Sequence, residues 1–157
     1  MIVVVMGVSG CGKSTIGQLL AARLDYSFLD ADEFHPPENV AKMAAGTPLT
    51  DADRLPWLQL LNEKLGAQKN AVLACSALKE SYRQILSKSL DDCRFVHLRG
   101  SIELIRARLA DRKHRYMPAS LLESQFATLE PPGGAIEVDI SKDPPQCVAI
   151  IATRLAG

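Results

Sequence analysis

The sequence predicts an α/β fold: a five-stranded parallel sheet flanked by helices. Three observations carry this prediction. Short β-branched runs alternate with longer segments of helical periodicity along the whole chain. The first run, residues 2–6, is apolar throughout, as a central strand covered on both faces must be. Glycines follow it at once, and then a helical pattern, which is the order strand, tight loop, helix.

Taken in order, Ile2-Val3-Val4-Val5-Met6 is the first strand, and residues 13–24 place Ile16, Leu19, Leu20 and Leu24 at helical spacing, an aliphatic face for the sheet. Further strands fit 27–30, 71–75, 94–98 and 135–140. Pro36-Pro37 can open a helix ending near Gly46. Thr50-x-x-Asp53 has capping-box spacing ahead of Trp57, Leu58, Leu61 and Leu65, although Pro56 blurs that boundary. Ser101 can cap a helix carrying Leu104, Ile105 and Leu109, while Pro118 and Pro144-Pro145 each suit the first turn of another.

A chain of 157 residues buries enough surface to fold as one domain, 1–157, without disulfide or structural metal. Its 18 Lys+Arg balance 18 Asp+Glu, which argues against sequence-independent nucleic-acid binding, a task that needs a cationic excess. No apolar run approaches the roughly 20 residues of a membrane span and no basic leader precedes 2–6, so the expectation is a soluble, cytoplasmic protein with no membrane partner. The four cysteines, Cys11, Cys75, Cys93 and Cys147, form neither CxxC pairs nor a zinc spacing and read as free thiols, the last three as small buried hydrophobes.

The segment Gly7-Val8-Ser9-Gly10-Cys11-Gly12-Lys13-Ser14 matches GxxxxGK[ST] in full, in the strand-to-helix context that motif requires. Glycines let successive N–H groups turn inward around phosphate oxygens, and the following helix dipole adds to the attraction. Lys13 reaches the β- and γ-phosphates, the Ser14 hydroxyl suits Mg²⁺, and Thr15 is a further helper. Cys11 is either a tolerated variable position or a thiol whose pKa the helix N-terminus depresses.

Asp30 and Asp32 follow the second strand. If extended geometry persists, their two-residue spacing sends both carboxylates to one side, near the phosphates, one for metal and one for a hydroxyl proton. His35 either binds substrate or caps the chain before two prolines. Lys79 and Arg83, four apart, would share one face of a helix, ready for a carboxylate or for water. Trp57 reads as core. Arg106, Arg108, Arg112, Lys113, His114 and Arg115 form either a solvated face or a lid supplying arginines to a transferring phosphoryl group.

The motifs GVSGCGKST, LDADEFHPPENVAKMAAGTPLTDADRLPWL, CSALKESYR, VHLRGS and MPASLLESQFATLEPP together resemble the gluconokinase family of P-loop small-molecule kinases, related in fold to shikimate and adenylate kinases. The resemblance covers nearly the whole chain. It implies a three-layer P-loop NTPase fold with strand order 2-3-1-4-5, a lid at about 110–120, and ATP- and Mg²⁺-dependent phosphorylation of D-gluconate at the 6-hydroxyl, in a homodimer. It further implies that Gly7 to Thr15 hold ATP, with Arg108 against adenine and Arg112 a lid arginine on the phosphates. Ser14 and Asp30 fall on the metal side. Asp32 faces the acceptor hydroxyl as base, and His35, Arg54, Lys79 and Arg83 lie in the gluconate pocket. The family often shows Gly-His-Phe in the lid where this chain has His114-Arg115-Tyr116. Phosphorylation of another sugar acid or polyol, such as shikimate, is the alternative within enzymes. A GTPase-like switch is the alternative outside them, and it lacks its NKxD and DxxG motifs here.

Overall fold

A computed structural model describes residues 1–110 and 119–157. Arg112, Pro118 and most of the expected lid at 110–120 lie outside the described residues. Five parallel strands, β1 (Ile2–Met6), β2 (Ser27–Asp30), β3 (Ala71–Ala74), β4 (Cys93–Arg99) and β5 (Ile136–Asp139), form one sheet in the order β2-β3-β1-β4-β5. The helices are α1 (Lys13–Leu24), α2 (Pro37–Ala44), α3 (Asp51–Gly66), α4 (Glu80–Ser87), α5 (Ile102–Ala110), α6 (Ala119–Thr128) and α7 (Pro144–Ala156), with a 3₁₀ turn at Ala31–Phe34. None is long and apolar enough to cross a membrane.

The apolar run of β1 explains the layering. Every one of its residues is buried. Strand side chains alternate between faces, so Val3 and Val5 enter one core with Ile16, Leu20, Ile151 and Leu155 of α1 and α7, while Ile2, Val4 and Met6 enter a second core with Trp57, Leu58, Leu61 and Leu65 of α3 and Tyr82 and Leu86 of α4. Paired with β3 on one edge and β4 on the other, β1 is the sheet's centre.

The first helix corrects one expectation. Its inner face consists of Ile16, Gly17, Leu20 and Ala21, and Leu19 is exposed. Gly17 lets α1 approach the sheet closely, since a Cβ there would lie 2.7 Å from Cε1 of Phe28. Pro56 does not mark a boundary: it sits inside α3, after the first turn, and the helix runs on through it. The Thr50/Asp53 capping box forms, and a second, Asp143/Gln146, supports the Pro144-Pro145 start of α7.

Helices α2 and α3 are clasped together. Lys42 of α2 donates to both carboxylate oxygens of Asp53 at 3.0 and 2.8 Å, and Asn39 of α2 donates to the Asp53 main-chain carbonyl at 3.0 Å. Lys42 first, and then the Thr50 amide, hold the Asp53 carboxyl down to about 2 from its ordinary 3.8. A carboxyl depressed on folding contributes stability above its unfolded pKa and loses that contribution as pH falls through the folded one. The stability difference between the wild type and Asp53→Asn is therefore expected to be constant above about pH 5 and to shrink between pH 4 and 2, measured by urea unfolding across that range.

Candidate active site

The glycine loop leaves the carboxyl end of β1 and enters α1. Gly7, Gly10 and Gly12 have φ of 150°, 84° and 95°, values that a side chain resists. Gly7 is the most constrained, because a Cβ there would lie 2.7 Å from Sγ of Cys11 and 2.9 Å from the Leu98 carbonyl of the neighbouring strand. Cys11 fills the space beneath the loop and is fully buried. Burial raises its thiol pKa more than nearby Lys13 lowers it, so the helix N-terminus does not activate this thiol. Cys75 and Cys147 are buried as expected, whereas Cys93 is only half-buried.

Lys13 arches back over the loop and donates from Nζ to the Val8 carbonyl at 3.0 Å. Ser14 donates from Oγ to Oδ2 of Asp30 at 2.8 Å, joining the loop to the end of β2. This hydroxyl and carboxylate are hard oxygen donors side by side, the chemistry Mg²⁺ takes, and they fit that ion. Thr15 is exposed and lines a small hollow outside the loop together with Arg108, Lys142 and Pro144. Arg108 is tethered there by a hydrogen bond to the Ile140 carbonyl.

Asp32 departs from the extended geometry the spacing suggested. The strand ends at Asp30, whose Oδ1 accepts from the Asp32 amide at 3.0 Å and starts the 3₁₀ turn. The two carboxylates thus diverge: Asp30 turns to Ser14, and Asp32 stays exposed at the edge of a cleft that also holds Lys13, His35, Arg54, Trp57 and Gln125. Trp57 is core, as its composition suggested, and also cleft wall. Its indole donates to the Ala31 carbonyl at 2.8 Å and its ring stacks on His35 with centroids 3.9 Å apart. The His35 side chain is 3% exposed, and this burial lowers its pKa, with Asp32 opposing. Arg54 is held by the Leu49 carbonyl and the Tyr82 hydroxyl, which in turn bonds Asp51.

Lys79 and Arg83 do not share a helix face and neither lines this cleft. Lys79 is the N-cap of α4 and pairs with Asp51 at 3.1 Å. Arg83 is 3% exposed and spends its donors on the Ala77 and Glu130 carbonyls and the Glu80 carboxylate. Its guanidinium ties the loop after β3 to the segment after α6 and supplies the donor that the buried Ala77 carbonyl requires.

Gln125 of α6 was not foreseen. It accepts from the Ser9 amide at 2.7 Å and donates to the Ser9 hydroxyl at 3.1 Å, spanning cleft and glycine loop. It lies within the MPASLLESQFATLEPP stretch, where only the motif's length, not periodicity, marks it.

A family model for shikimate kinase matches residues 9–127. The gluconokinase of Gluconobacter oxydans (strain 621H) is 53% identical, with 83% of this chain and 75% of that protein aligned. This chain belongs to the shikimate kinase family and, within it, to the gluconokinases. The thermoresistant gluconokinase of Escherichia coli (strain K12) is 43% identical over 88% of this chain and 81% of its own. Among solved structures, a gluconokinase from Sinorhizobium meliloti 1021 superposes with a TM-score of 0.92 at 43% identity, covering 98% of this chain and 90% of that one. Shikimate kinase from Aquifex aeolicus, at 21% identity and a TM-score of 0.70, shares the fold. Membership of the gluconokinases makes the protein an enzyme, a nucleotide-binding kinase.

Two variants separate loop strain from loop anchoring. Gly7→Ala is expected to cost at least about 2 kcal/mol in urea unfolding and to weaken nucleotide binding by about tenfold, because the new Cβ meets backbone. Arg83→Gln is expected to lower stability by about 2 kcal/mol, with the acceptor KM changed less than about threefold, since it strands the buried Ala77 carbonyl and not a ligand. A large rise in acceptor KM in a protein of unchanged stability would return Arg83 to the substrate pocket.

Proposed function

We propose that the protein phosphorylates D-gluconate at its 6-hydroxyl with the γ-phosphoryl group of ATP, giving 6-phospho-D-gluconate and ADP in the cytoplasm. The observation that carries this reading is a single cleft holding the loop lysine Lys13, the exposed carboxylate Asp32 and the anchored guanidinium Arg54. A kinase for a sugar acid needs those three: a cation for the phosphates, an acceptor for the hydroxyl proton, and a partner for the substrate carboxylate.

In this reading the amides of the glycine loop and Lys13 receive the triphosphate, Lys13 exchanging the Val8 carbonyl for phosphate oxygens. Arg108 and Thr15 flank the nucleoside in the outer hollow, and Arg112 completes the phosphate cations. Ser14 and Asp30 would hold Mg²⁺, which when bound neutralises phosphate charge. On the acceptor side, Arg54 meets the gluconate carboxylate and His35 meets a hydroxyl. Asp32 takes the proton as the attacking oxygen forms its bond to phosphorus and the bond to the ADP oxygen breaks. Its exposure at the cleft edge leaves it open to the substrate.

Steady-state rates with gluconate, shikimate and a panel of sugar acids and polyols test the acceptor, and ¹³C NMR of the product tests the position. The expectation is efficient turnover of gluconate alone, with the phosphate on carbon 6; efficient use of shikimate and negligible use of gluconate would reject it. Asp32→Ala should keep the ATP Kd within about twofold while kcat falls by on the order of 10²–10⁴. Wild-type turnover in that variant would remove Asp32 from proton transfer.

A further inference from the structure

Asn39 is 2% exposed, on α2, away from the loop that holds phosphate. Its amide nitrogen lies 3.0 Å from the Asp53 main-chain carbonyl and 3.2 Å from Nδ1 of His35. The first contact fixes the chemistry of the second. A carbonyl oxygen can only accept, so the side of the Asn39 amide facing Asp53 must be the NH₂ group, not the oxygen. One of its hydrogens goes to Asp53, and the other points at His35. Nδ1 of His35 must then present a lone pair, and in a neutral imidazole the proton is left on Nε2.

The surroundings hold that arrangement in place. The imidazole is stacked flat against Trp57, at an interplanar angle of 16°, which hinders a turn about its Cβ–Cγ bond that would put Cδ2 in place of Nδ1 beside Asn39. Asp53 is itself fixed by Lys42 and the Thr50 capping box. The charged groups facing His35 are Asp32 on its own segment and Arg54 on α3. Burial outweighs the Asp32 charge, and the ring is favoured neutral.

Nε2 of His35 lies 3.9 Å from Oδ1 of Asp32, beyond direct hydrogen-bonding distance. Both groups border the same cleft. A hydroxyl is at once a donor and an acceptor, and an N–H beside a carboxylate complements it at both ends. The opposite tautomer would set two acceptors against one hydroxyl and leave one of them unpaired. We propose that Asn39 is a positioning residue that sets the His35 tautomer, so that Nε2–H and the Asp32 carboxylate together grip one hydroxyl of the acceptor. This rests on the reading that the acceptor occupies the cleft beside Asp32.

The tautomer itself can be measured without any acceptor. In ¹⁵N-histidine-labelled protein the ring nitrogens of His35, assigned by their loss in His35→Gln, are expected to show a protonated Nε2 and a bare Nδ1 above neutral pH. A protonated Nδ1 in the wild type overturns the proposal, whether or not any variant folds. In Asn39→Asp, whose side chain only accepts, the proton should move to Nδ1 and kcat/KM for gluconate should fall by about tenfold or more, with KM for ATP within about twofold. His35→Gln supplies an amide donor that has no tautomer. In that background Asn39→Asp should cost much less than it does alone, and simply multiplicative losses would overturn the coupling. If gluconate proves to be the wrong acceptor while the wild-type ring carries its proton on Nε2, the assigned function fails and the tautomer assignment stands.

Discussion

The residues of β1 are hydrogen-bonded to a strand on either side and covered by helices on either face, so the place where that strand stops is fixed by two cores at once. At that place the backbone must turn within a space bounded by the Leu98 carbonyl of the adjacent strand, and only a residue without a Cβ can make the turn. The glycine loop inherits its position from this constraint. The groups proposed to act on phosphate are then measured from it: Lys13 and Ser14 by the first turn of α1, Asp30 by the hydrogen bond from Ser14. Apolar packing, with no polar chemistry of its own, sets the coordinates of the polar site.

The cleft proposed for the acceptor is built differently. None of its cleft-wall groups stands on β1; Asp32 and His35 come from the 3₁₀ turn after β2 and its end, Arg54 and Trp57 from α3 and Gln125 from α6, and polar contacts hold this side together: Asn39 and Lys42 on Asp53, Tyr82 on Arg54, Trp57 on Ala31. The division suits a kinase family whose members are named for different acceptors, shikimate and gluconate. A rigid apolar frame preserves the shared half, and a network of replaceable side chains defines the other.

That division also explains what was legible in the sequence. The strands and the phosphate loop could be read because β-branched runs and glycine spacing are local signals that the burial of β1 leaves intact; the strand order came only with the family resemblance. Leu19 misled because helical spacing cannot say which neighbouring stripe meets the sheet, and Gly17, carrying no hydrophobic signal, marks the true one. Asp32 diverged from Asp30 because the Asp30 side chain captures the next amide but one and ends the strand, a competition alternation ignores. Arg83 read as a helix-face cation open to a carboxylate or to water, but its partners include carbonyls of Ala77 and of Glu130, 47 residues away. Asn39 and Gln125 were invisible for the same reason: their meaning lies in partners that only the fold brings near.

Gln125 reaches across 116 residues to hold Ser9 at both its amide and its hydroxyl. An amide hydrogen makes its best bond to one acceptor at a time, so a phosphate oxygen that takes the Ser9 N–H competes with the Gln125 carbonyl for it. Where phosphate takes that N–H, occupancy of the glycine loop and the docking of α6 are linked quantities, coupled by about one hydrogen bond, on the order of 1 kcal/mol. Linkage of this kind is reciprocal. Whatever draws α6 toward the acceptor cleft alters the affinity of the loop for nucleotide by the same factor that nucleotide alters the placement of α6. The two halves of the site, so unlike in construction, thus share one ledger through a single side chain.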